Sequence, residues 1–108
     1  MKHLHIGGSA LLTGNEVADT VLELATALLR QREVEIAEFP FVDATGQLRR
    51  ARIVLGGSQE IWAASTSIGG PELMAPADVD VMNTRVSALS RNGRPYVGFP
   101  DDSLLEDF

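Results

Sequence analysis

The chain of 108 residues contains no cysteine. That excludes disulfides, thiolate-bound zinc, iron–sulfur clusters and a thiol nucleophile. Histidine is nearly absent too, with only His3 and His5. Acid–base chemistry near neutral pH therefore has to use this pair or a carboxylate of raised pKa. Lys2 is the only lysine and every other basic residue is an arginine, a bias that GC-rich bacterial codon usage produces. Basic charge is short overall, with 9 basic against 15 acidic residues and a net charge of −6. Nucleic-acid phosphates and anionic membrane surfaces both select a basic face, so neither is an expected partner. Long apolar runs are missing as well. The longest hold about three or four residues, whereas a spanning helix needs about 20. The first residues, Met-Lys-His-Leu-His-Ile-Gly-Gly, lack the apolar core of a signal peptide, and the cytoplasm is the expected compartment. No internal repeat, linker or low-complexity segment is visible, and no cofactor is expected.

What is present is an ordinary globular composition, 44% hydrophobic and 22% charged. One domain is expected over residues 1–100, followed by an acidic tail, 101–108, that frays. Residues 3–6 alternate as a short strand with both histidines on one face, and Gly7-Gly8-Ser9 turns it back toward Ala10-Leu11-Leu12. Thr13 and Glu16 have the spacing of a capping box. Val17, Val21, Leu24 and Leu28 then predict an amphipathic helix over about 14–32.

Next comes a hairpin around Ala44-Thr45-Gly46. Its register sets Val42 opposite Leu48, Glu38 opposite Arg52, Ile36 opposite Val54, and Phe39 opposite Ala51. Pro40, with no amide donor, predicts an edge strand or a bulge. Gly56-Gly57-Ser58 reads as a further hairpin turn into a strand over Glu60 to Ser67 that carries Trp62. A second helix is predicted from Pro76 to about Asn92-Gly93, with Val79, Met82, Val86 and Leu89 as its stripe. Tyr96 to Phe99 is a short final strand. The order β-(β)-α-β-β-β-α-β predicts an α+β fold, a mainly antiparallel sheet with two helices on one face.

Few residues point to chemistry. His3 and His5 share a strand face and are the weak candidates for a metal, but a working site needs a third protein ligand and no other His or Cys exists. Surface histidines are the simpler reading. Arg49, Arg50 and Arg52 form the one basic cluster, an anion patch unless Glu38 pairs with it across the hairpin. Ile6-Gly7-Gly8-Ser9 lacks the G-x-G-x-x-G spacing of a dinucleotide turn, and Gly56-Gly57-Ser58 lacks the lysine of a P-loop. The serines and threonines of 65–67 have no G-x-S-x-G elbow. If one sheet face is left uncovered, Trp62 and Phe39 are candidates for a dimer patch on it. Leu104, Leu105 and Phe108, set among acids, have the form of a segment that docks into a groove, in cis or in trans.

The helix Val17-Ala18-Asp19-Thr20-Val21-Leu22-Glu23-Leu24-Ala25, the Glu- and Arg-flanked hairpin, the Ile53-Val54-Leu55 and Ile61-Trp62-Ala63 strands and the Pro-anchored late helix resemble a group of small actinobacterial proteins of similar length. Some members of that group are labelled DNA ligases. The resemblance implies a shared α+β fold and brings no catalytic residues with it. The nucleotidyl-transfer motif K-x-D-G is absent, and the only lysine is Lys2. The expectation is a non-catalytic binding module that forms homo-oligomers through its sheet or binds another protein. The alternative is a small-molecule-binding protein or enzyme with a helix–sheet pocket, using carboxylates or His3 and His5.

Overall fold

A computed structural model describes residues 1–67 and 70–92. Strand β1 (Lys2–Ile6) and strand β2 (Ser9–Thr13) form a tight hairpin that sets Leu4 against Leu11 and His5 against Ala10. Gly7, at φ 58°, supplies the left-handed turn position. Helix α1 (Asn15–Gln31) follows at once. The expected capping box does not form. Thr13 is still on the strand, and its buried hydroxyl donates 2.8 Å to the Pro40 carbonyl. Gly14 takes the cap position without a side-chain bond, and the Asn15 N–H donates to Glu72 from a distant loop. At the other end, left-handed Arg32 (φ 56°) and Glu33 turn their amides back onto the Leu29 and Leu28 carbonyls.

Strand β3 (Glu35–Val42) and strand β4 (Leu48–Leu55) pair in the register expected from the sequence, from Glu35 opposite Leu55 to Val42 opposite Leu48. The turn is fastened by the Asp43 carboxylate, which accepts from the Thr45 N–H, the Thr45 hydroxyl and the Gln47 N–H. Strand β5 (Ile61–Ser65) departs from expectation. It does not pair with β4 across the Gly56-Gly57 turn. It crosses to the far side of the sheet and pairs with β1, Trp62 opposite His5 and Ala63 opposite Leu4. The strand order is β4-β3-β2-β1-β5, all antiparallel. Crossing lets Ile61 and Ala63 extend the apolar floor under α1, which a place beside β4 would not.

Helix α2 (Pro76–Asn92) begins at the expected proline. Its Val79, Met82 and Leu89 join Val17, Val21, Leu24 and Leu28 of α1 over Leu4, Phe39 and Leu55 of the sheet in one core. Each fully buried Leu or Phe there contributes about 2 kcal/mol. The fold is α+β. The expected strand at Tyr96–Phe99 and the tail with Leu104, Leu105 and Phe108 lie outside the described residues.

Candidate functional site

Strand parity divides the sheet into two unlike faces. Leu4 is wholly buried beneath the helices, and Lys2 on the same side reaches Asp19 of α1 at 2.7 Å. The pairings therefore put Ala37, Phe39, Ala51 and Leu55 on the helix side. His3, His5, Leu12, Trp62, Ile36, Glu38, Val42, Leu48, Arg50, Arg52 and Val54 point the other way. Phe39 thus corrects the sequence reading. It is 0% exposed in the core and does not stand beside Trp62. Ile36, Leu48 and Val54 point to the same side as Trp62, all four between 46% and 64% exposed, with Trp62 on edge strand β5 and Leu48 and Val54 on the opposite edge strand β4. Helix α2 reaches this face beside β3 and β4, where its Asp78 bonds Arg50 and shares a groove with Ile36 and Glu38.

Trp62 stacks flat on His5, with ring centroids 3.8 Å apart and planes 4° from parallel. His5 in turn is 6.3 Å from His3. The stack occupies one face of the His5 imidazole, and among the described residues no group of three or more potential metal ligands gathers anywhere.

The arginine cluster is committed to carboxylates. Arg52 Nε donates to Glu38 at 3.0 Å, as the register predicts. Arg50 grips Asp78 of α2 with two bonds of 3.0 Å and stands 3.6 Å from Glu38. Arg49 lies 3.6 Å from Asp43. The bonds to Asp78, with its charge next, raise the Arg50 pKa. The hydrogen bonds from Thr45 and Gln47 lower that of Asp43. Glu72 is lowered by its bond to the Met1 α-amine at 2.8 Å, then by the Asn15 amide.

A helix–sheet pocket does exist, away from the histidines. It is a groove of about 300 Å³ between β3 and α2, lined by Glu35, Ile36, Glu38, Asp78, Val81 and Arg85 among others. Its carboxylates are held by guanidinium groups: Glu35 by Arg85, Glu38 by Arg52, and Asp78 by Arg50. Hydrogen bonding to Glu35 raises the Arg85 pKa. No described helix is long and apolar enough to cross a membrane.

Sequence reasoning separated the two faces of the β3–β4 hairpin, because the register was readable there. It missed that Trp62 shares a face with His5, because which strand β5 pairs with is not written locally. Comparison of the chain with family models, with curated proteins and with solved structures finds no match.

Proposed function

We propose that this protein is a non-catalytic interaction module whose outer sheet face binds a second copy of the same chain. The observation that carries this reading is that Trp62 at one edge of the sheet and Ile36, Leu48 and Val54 toward the other are all exposed on the same side of it. Charge favours a like partner there. The whole chain carries −6, yet the five strands place one acid, Glu38, on this face against Arg50 and Arg52. Two copies meeting through it keep most of their acids apart, and like-charge juxtaposition is the main electrostatic cost of self-association. Five strands spaced ~4.8 Å apart and ~5–8 residues long present a projected face on the order of 500 Å². That is below the ~800 Å² per partner of a standard interface and in the size range of transient contacts.

Sedimentation equilibrium tests it. The mass should rise from 11.6 kDa toward twice that value between low and high micromolar concentration. Trp62→Glu should weaken the association by about tenfold or more, because a buried tryptophan anchor is replaced by an unpaired charge. A strict monomer at high micromolar concentration contradicts the reading.

A further inference from the structure

We propose that His3 and His5 are one half of a metal site, which takes a zinc-class divalent ion and is completed by the same two histidines of a second copy of the chain. The pair stands two residues apart on β1. Both imidazoles therefore leave the outer face from one strand, with Cα atoms about 6.6 Å apart. His5 lies between Ala10 of β2 and Trp62 of β5, and His3 between Leu12 of β2 and Ala64 of β5. Each histidine thus has an alanine on one flank, too short to cover an imidazole, and both rings are only half-buried.

The Trp62 stack orders this half-site. It covers one π face of the His5 ring and leaves the ring edge, where the nitrogens sit, open to a ligand. Rings that share a tetrahedral zinc through bonds of about 2.0–2.1 Å stand about 5 Å apart, centre to centre. His3 and His5 stand at 6.3 Å. Rotation of the His3 ring beside small Ala64 supplies the remaining change of about 1 Å.

Two imidazoles leave a tetrahedral ion half coordinated. Among the described residues no carboxylate joins them as a third ligand, so the missing pair comes from a second copy. Two sheets meeting face to face lie about 10 Å apart, which puts the midplane about 5 Å above each strand, within reach of an imidazole nitrogen. A two-fold axis through the ion then brings four ring nitrogens to it. That set suits zinc, whereas magnesium and calcium take oxygen ligands. Charge agrees, because each chain carries −6 and a cation between two copies offsets part of their repulsion. The site goes beyond the association proposed above, since the ion holds the copies together whether or not the metal-free chains pair.

Sedimentation equilibrium of the full chain in EDTA and in zinc sulfate tests this, at a concentration where the EDTA sample is mostly monomer. Zinc should move the mass from 11.6 kDa toward twice that value, and native mass spectrometry should find one zinc per two chains. His3→Gln should weaken the zinc-dependent association by about tenfold or more. The same variant should keep the parent's thermal midpoint in EDTA, which separates a lost ligand from a lost fold. An unchanged mass in zinc overturns the proposal. So does one zinc bound per chain without pairing, or a zinc response that His3→Gln retains. A chain that is monomeric in EDTA at every concentration but pairs in zinc supports this site and contradicts only the metal-free association. Association in EDTA that zinc leaves unchanged does the reverse.

Discussion

Phe39 and Trp62 stand on one sheet with opposite surroundings. Phe39 is sealed under α1, and its truncation to alanine should cost about 3–5 kcal/mol in urea unfolding. Trp62 is 46% exposed, so Trp62→Ala should change stability by no more than about 1 kcal/mol while weakening self-association. A large loss of stability from Trp62→Ala would place that ring in the core instead. Phe39 could be assigned to the face of Ala51 from the hairpin register alone, but nothing in its sequence context said which face the helices cover. Acid should act through two carboxylates. Asp43 and Glu72 both have pKa values lowered in the folded state. The stability they contribute is complete above the ordinary carboxylate range and is lost as pH falls through their depressed values. The urea midpoint of the parent chain should therefore drop as pH falls through and below the ordinary carboxylate range, and Asp43→Asn should flatten that slope. An unchanged slope in the variant would contradict the role given to the Asp43 turn.

Among the elements, those shaped by neighbours in sequence were legible. Helix α1 was readable from Val17, Val21, Leu24 and Leu28, and the β3–β4 register from Glu38 opposite Arg52. Elements that depend on distant partners were not. Thr13 had the spacing of a cap but bonds Pro40, 27 residues away, and Glu72 reaches Asn15 across 57 residues. Strand β5 left its sequence neighbour for β1 because the floor of α1 needed completing there. Close approach of such distant segments has a mutational signature. A Cβ on Gly14 would lie 1.9 Å from the Leu73 carbonyl oxygen, whereas one on Gly8 meets nothing within 4 Å. Gly14→Ala should lower stability by about 2 kcal/mol or more, through displacement of the loop that leads into α2. Gly8→Ala should stay within about 0.5 kcal/mol. Equal thermal midpoints for the two variants would refute the placement of that loop.

At the scale of the whole molecule, charge and shape act together. The helix side is filled by the core, the outer sheet face mixes exposed apolar side chains with His3, His5 and paired charges, and the strands contribute one acid, Glu38, to that face. Two copies of net charge −6 repel at long range even when their contact faces match. Raising salt from about 50 mM to about 500 mM should tighten the association by a factor of about two to five as that repulsion is screened. Weaker association at high salt would point to ion pairs, not apolar side chains, as its source. The surface through which two copies are proposed to meet can be observed directly. Isotope-filtered NOE spectra of a mixed labelled and unlabelled sample report only contacts between copies. Cross-peaks from the Trp62 indole to Ile36, Leu48 or Val54 methyl groups of the other copy are the predicted result. Contacts confined to α1 or α2 would contradict it.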